Sequence, residues 1–183
     1  RYVDEQKSLV YIGTHAGGLT VLHRNSGKME SFNQLNSQLV NENVYAILPD
    51  KGGNLLLGTL SALVSFNPEK KSFTTIDKEK DGTPFTSQRI TILFRDSHKR
   101  LWVGGEEGIS VFQQEGIEIE KVPILPESSV TKTFTNCIYE AANGIIWVGT
   151  REGFYCFNEK EKKIKRYTTA NGLPNNVVYG ILE

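Results

Sequence analysis

Short apolar runs recur along the chain at a near-constant interval, each closed by a glycine-bearing turn. Leu9-Val10-Tyr11-Ile12-Gly13-Thr14 is echoed by Leu55-Leu56-Leu57-Gly58-Thr59, by Leu101-Trp102-Val103-Gly104-Gly105 and by Ile146-Trp147-Val148-Gly149-Thr150. The anchoring glycines 13, 58, 104 and 149 are spaced by 45, 46 and 45 residues. A second apolar run follows each anchor: Leu19 to Leu22, Leu63 to Phe66, Ile109 to Phe112 and Phe154 to Phe157. Met29, Phe73, Ile119 and Ile164 keep the same cadence further on, as do Phe32, Ile76, Val122 and Tyr167. Fourteen residues before the later anchors lie Val44, Ile90 and Thr135, each opening another short run. Val178-Tyr179-Gly180-Ile181-Leu182 opens one more copy.

Each unit therefore reads as four short strands, A to D, joined by turns. Lys51-Gly52-Gly53-Asn54 and Ala142-Asn143-Gly144 suit A–B hairpins, because Gly and Asn tolerate positive φ. Glu107-Gly108 and Glu152-Gly153 close B–C; Asn25-Ser26-Gly27-Lys28 and Asn158 to Lys162 close C–D. No stretch holds a helical period over roughly 11 residues. Strands B and C are almost continuously apolar, as expected of sheets covered on both faces. A four-stranded unit cannot cover both faces alone, whereas stacking such sheets around an axis does so and leaves only short edges. The expected fold is all-β, a β-propeller of four-stranded antiparallel blades. About four blades are present, in repeats at approximately 1–34, 35–77, 78–122 and 123–168, with 169–183 opening a further repeat within one propeller fragment.

The repeat also resembles a known family. Asn171-Gly172-Leu173-Pro174-Asn175-Asn176-Val177-Val178-Tyr179-Gly180-Ile181-Leu182-Glu183 is similar to the opening of the two-component regulator propeller repeat, and Asn143 to Phe154 to its middle. Two departures concern turns: Ala141 stands where Asp50 and Asp96 keep an acid, and Pro49 ends its strand A. The resemblance implies a periplasmic sensor region of a membrane-anchored hybrid two-component protein, often of gut Bacteroidetes, responding to an oligosaccharide or other small ligand. It also implies a larger ring, commonly of seven blades. A protein–protein scaffold without a small ligand is the alternative, and a propeller lyase or glycosidase a third reading.

Composition narrows the chemistry. Lys plus Arg and Asp plus Glu both number 21, so the chain lacks the basic footprint of a nucleic-acid partner. The three histidines, His15, His23 and His98, fall at unrelated positions of the unit, with no ligand spacing around them. Cys137 and Cys156 lie on strands A and C of one unit, two strand spacings apart, and are expected as buried free thiols. Asp50 and Asp96 read as Asx turn residues, and Trp102 and Trp147 as inter-blade core. No metal, no cofactor and no catalytic set is indicated. What stops repeating is the face built by D–A and B–C loops, where binding specificity is expected. The candidate ligand-binding residues there are Arg89, Arg151, Glu106 and His15, with Phe85, Glu107 and Glu152 nearby. Arg89 and Arg151 have the fork geometry that suits a carboxylate or sulfate of an acidic sugar.

The ends of the chain carry a further expectation. The first unit reads as lacking strand A, because Arg1 to Ser8 is polar, and the final Val178–Leu182 run is a strand A without a sheet. That run pairing beside strand B of the first unit closes the array; otherwise two apolar blade faces stay open. Intramolecular closure, a homodimer sharing blades, or poor solubility is therefore expected. Size-exclusion chromatography with light scattering checks this, and a well-behaved open monomer contradicts it.

Overall fold

A computed structural model describes residues 1–85, 89–124 and 132–182. Ser87 and the end of the Asp77 to Arg89 loop before Arg89 fall outside the described residues. Four antiparallel four-stranded sheets follow one another in chain order. Blade one contains β1 (Tyr2–Asp4), β2 (Leu9–Gly13), β3 (Leu19–His23) and β4 (Met29–Phe32). Blade two contains β5 (Val44–Pro49), β6 (Leu55–Thr59), β7 (Leu63–Asn67) and β8 (Ser72–Ile76). Blade three contains β9 (Ile90–Arg95), β10 (Leu101–Gly105), β11 (Gly108–Glu115) and β12 (Glu118–Lys121). Blade four contains β13 (Thr135–Glu140), β14 (Ile146–Thr150), β15 (Gly153–Asn158) and β16 (Lys163–Tyr167). The A strands β5, β9 and β13 pack on one another from blade to blade and so lie innermost. The described chain is an open arc of a propeller.

The core explains why strand B reads apolar at every position. Leu55 and Leu57 face blade one, packing with Tyr11, Leu19 and Val21. Leu56, between them, faces blade three beside Leu101, Val103 and Phe112. Trp102 then points the other way, into the cluster with Ile146, Val148, Tyr155 and Phe157 of blade four. Successive side chains leave opposite faces of a strand, so a strand between two blades needs apolar residues throughout. Trp102 is 0% exposed, as expected of inter-blade core. Trp147, its counterpart in blade four, instead lies half-buried on that blade's open face with Phe154 and Tyr167.

The anchoring glycines have a steric cause. A Cβ on Gly13 would sit 2.4 Å from the carbonyl oxygen of Val44, and one on Gly58 would sit 2.6 Å from Ile90 Cγ2 and 2.7 Å from its oxygen. On Gly104 it would meet Ile92 and Thr135, and on Gly149 the Cys137 sulfur and Val178. Each glycine thus lets the next inner strand begin directly against strand B.

Two expectations about the ends are corrected. The first sheet does have a strand A: Tyr2–Asp4 pairs antiparallel with Leu9–Gly13, with Tyr2 opposite Tyr11 and Asp4 opposite Leu9. One ring suffices to seat this short strand, since Tyr2 stacks on buried Tyr11 with centroids 6.0 Å apart. The neighbouring polarity belongs to the turn, where Asp4 accepts a hydrogen bond from Lys7 N at 3.0 Å. Because β1 occupies that edge of β2, Val178–Leu182 does not close the array. It forms no strand and lies against blade four, where Val178 N donates to Thr150 O at 2.8 Å. There it borders a shallow apolar cavity of about 300 Å³ with Trp147, Phe154 and Leu173. Val44 N donates to Thr14 O in the same way, so Val178 is placed as the opening residue of a further inner strand.

Polar groups link the blades at the edge carrying the A–B and C–D turns. Asp96, buried, accepts from Arg100 Nε at 2.7 Å and from Trp102 Nε1 at 2.8 Å. Arg100 reaches on to Glu159 of blade four with two bonds of 2.7 Å. Between blades two and three, Arg95 and Gln114 both donate to Asp50, at 3.0 and 2.9 Å. Asp50 and Asp96 do sit at A–B turns, yet their carboxylates also serve these networks. The thiols of Cys137 and Cys156 are free, half-buried rather than buried, and pushed up by desolvation.

Two outcomes are expected. Gly58→Ala should destabilise the protein by about 1–3 kcal/mol through overpacking, read as a lowered urea midpoint. Gly180→Ala, where an added Cβ meets nothing within 4 Å, should leave the midpoint unchanged. The Arg100 guanidinium holds the Glu159 carboxyl below its ordinary value. Such a group stabilises the fold fully above its unfolded pKa, near 4.3, and loses that contribution as pH falls towards the lower folded value. Because Glu159 is partly solvated, the effect should be about 1 kcal/mol or less. Melting curves between neutral and acid pH should show a shallower loss for Glu159→Gln than for the parent.

Candidate functional site

The loop face opposite those turns is built from three recurring positions, the first present in all four blades and the other two in blades two to four. The first is the second residue after the anchoring glycine: His15, Leu60, Glu106 and Arg151. The second is the residue just before strand A: Asn43, Arg89 and Phe134. The third is the second residue of strand A: Tyr45, Thr91 and Asn136. At this third position the register slips in all three complete inner strands, since Val44 pairs with Thr59 but Ala46 with Gly58, and likewise in β9 and β13. A bulge of this kind leaves one residue out of the ladder and re-aims its side chain.

What the re-aimed residues do differs by blade. Thr91 Oγ1 donates to Thr135 O at 2.9 Å, and Asn136 Nδ2 donates to Val178 O at 3.0 Å, so both bridge to the next blade. Tyr45 instead lies beside Arg89, whose Cζ is 5.7 Å from its ring centroid, and its ring is 6.5 Å from that of His15. Arg89 Cζ also lies 5.9 Å from the Phe134 centroid, and Arg151 Cζ stacks on the same ring at 4.0 Å. Cation–π contacts of this length orient a guanidinium without neutralising it.

The four candidate residues thus converge. His15, Arg89 and Arg151 are joined through Tyr45 and Phe134, and Glu106 Oε2 lies 4.0 Å from the Arg89 guanidinium. That contact is long and more than half exposed on the acid, so it contributes little. Phe85 belongs elsewhere, packed edge-on against Phe112 at 5.6 Å in the core. Glu152 is engaged by Arg166, which donates to its carbonyl oxygen at 2.6 and 2.9 Å. Sequence reasoning missed Tyr45 and Phe134; their fixed offset from the start of strand A was the available signal.

Arg89 is held in an uncommon conformation. Its φ of +45° is in the left-handed region, disfavoured for a long side chain. Its N–H donates to Leu60 O at 2.8 Å, which pins the loop to the preceding blade. Among the described residues, Arg89 Nε is a buried donor with no acceptor. No group of three or more His, Cys, Asp or Glu side chains able to hold a metal comes together among the described residues.

Comparison with known proteins agrees with this architecture. Residues 128–152 match the sequence profile of the two component regulator propeller, so the chain carries that repeat. It is 28% identical over 158 residues, 82% of its length, to histidine kinase P4 of Formosa agariphila. It spans only 11% of that protein. Among solved structures, it superposes on the extracellular domain of the putative hybrid two component system BT4673 from B. thetaiotaomicron with a TM-score of 0.76 and 20% identity. That match covers 95% of this chain and 23% of the other. The corresponding domain of BT3049, from the same organism, gives 0.68 at 21% identity over 90% of this chain and 22% of the other. At such identities these structures establish the shared propeller fold. No helix among the described residues is long and apolar enough to cross a membrane.

Proposed function

We propose that this segment is a non-catalytic, ligand-sensing module of a hybrid two-component signalling protein, that it lies in the periplasm, and that it responds to an oligosaccharide bound on the loop face. The observation that carries the reading is the convergence of His15, Tyr45, Arg89, Phe134 and Arg151 from four blades at positions where the repeat keeps its backbone but not its chemistry. Aromatic rings with a few convergent polar groups make up a ligand site, whereas hydrolysis calls for paired carboxylates at about 5–9.5 Å. Glu106 has no acidic companion in the cluster just described. The two-component repeat and the histidine kinase relative support the signalling context. In this scheme the bound sugar changes how neighbouring blades sit, and the rest of the parent protein passes that change to a kinase.

A scaffold function draws on a different observation, the exposed Leu35 and Leu60 in the loops of blades one and two. A panel of neutral and acidic oligosaccharides read by thermal shift and calorimetry separates the two. A binder should raise the melting temperature, and Phe134→Ala should weaken it about tenfold or more, the cost of one well-placed aromatic contact. A panel without any binder for the parent ectodomain counts against sensing.

A further inference from the structure

The site described above has an unbalanced charge, and its cations are ordered without being used. Arg151 and Arg89 share the Phe134 ring, at 4.0 and 5.9 Å, so both guanidiniums are held on one small area of the loop face. Elsewhere in the molecule an ordered arginine has its carboxylate: Arg95 has Asp50 at 3.0 Å, and Arg100 has Asp96 and Glu159 at 2.7 Å. Here, among the described residues, the sole acid within 4.0 Å is Glu106, at that limit of reach and serving Arg89 alone. Among the described residues Arg89 Nε is left without an acceptor although buried, an arrangement that costs a fold free energy. Its left-handed backbone adds a second local cost at the same residue.

We infer that Arg89 and Arg151 form a pre-organised oxyanion receptor, and that the sensed ligand carries a carboxylate or sulfate ester. The inference rests on the loop-face reading above and specifies the ligand class. Stacking on Phe134 and Tyr45 fixes the planes of the guanidiniums before the ligand arrives, which lowers the ordering cost of binding. Planar forks match planar or tetrahedral oxyanions by paired N–H···O bonds, which a lysine cannot reproduce. Glu106 acts as the internal competitor: with no ligand it screens Arg89, and an incoming oxyanion displaces that weak contact. Tyr45 and His15 border the same patch and are placed to meet the uncharged remainder of the ligand.

The test observes the arginines directly. Nitrogen-15 spectra of the side-chain Nε–H groups are recorded while the 183-residue protein is titrated with glucuronate, glucose 6-sulfate or glucose. Saturable shifts of the Arg89 and Arg151 signals are expected with either or both anions and not with glucose. The response to carboxylate against sulfate tells which oxyanion is preferred. Arg151→Lys should weaken binding about tenfold or more, whereas Glu106→Gln should strengthen it and steepen its salt dependence, since an uncompensated charge is screened more. Loss of folding does not mimic that gain, so the second variant keeps the test independent of stability. Absence of shifts with both anions, or equal shifts with glucose, overturns the inference. Glucose moving the Tyr45 and Phe134 ring signals but not the arginines overturns the anion receptor while leaving the loop-face reading intact. Anion binding at the arginines without any oligosaccharide binder keeps the receptor and removes the sugar.

Discussion

The rest of the structure depends on a close approach between backbones: strand B of each blade carries a glycine where the next inner strand begins. With less than 3 Å between a would-be Cβ and the neighbouring blade at Gly13, Gly58, Gly104 and Gly149, no side chain fits there without displacement. That contact fixes where each inner strand starts relative to the preceding sheet. The position of the loop face follows from it. Two residues beyond the glycine lies a B–C loop side chain, and one residue before the inner strand lies a D–A side chain. The two sit side by side because the backbones beneath them touch. His15, Arg89, Phe134 and Arg151 are therefore placed by sterics some distance from the atoms that would do any binding.

The two edges of the blades divide the polar chemistry. At the turn edge, charges are consumed by the fold: Asp96 satisfies a guanidinium and an indole at once, and Arg100 spans two blades. Removing one partner there leaves a buried charge unpaired, which is far costlier than the net worth of the pair. At the loop edge the same residue types are oriented by rings instead. The contrast separates arginines that hold blades together from those that the architecture leaves to a ligand.

The cadence of glycines and apolar runs made the blades legible, because inter-blade packing demands apolar residues at every position of strand B. Trp102 was readable as core for that reason. Trp147, read the same way, lies instead half-buried on an open face, because its burial depends on a neighbouring sheet rather than on its own strand. The inner strand of blade one escaped notice: Tyr2–Asp4 is three residues long and only Tyr2 stacks on the core, too little for a pattern to register. Pairing of Val178–Leu182 with β2 failed because sequence shows that a segment suits an inner strand but not whether an edge is already occupied. Within the site, Arg89, Arg151, Glu106 and His15 were legible as loop residues in variable positions. Tyr45 read as one more apolar residue of its strand, since a bulge has no signature in composition and only the slipped register shows that its ring leaves the ladder.

That slipped register has an evolutionary corollary. Residues 45, 91 and 136 are released from the alternation that governs their neighbours, so a change of identity there neither opens a void nor flips a strand. Threonine and asparagine at this point tie adjacent sheets together, while tyrosine gives up the tie and offers a ring. A propeller so built can be retuned one blade at a time, exchanging a little internal cohesion for a new surface while its frame stays constant.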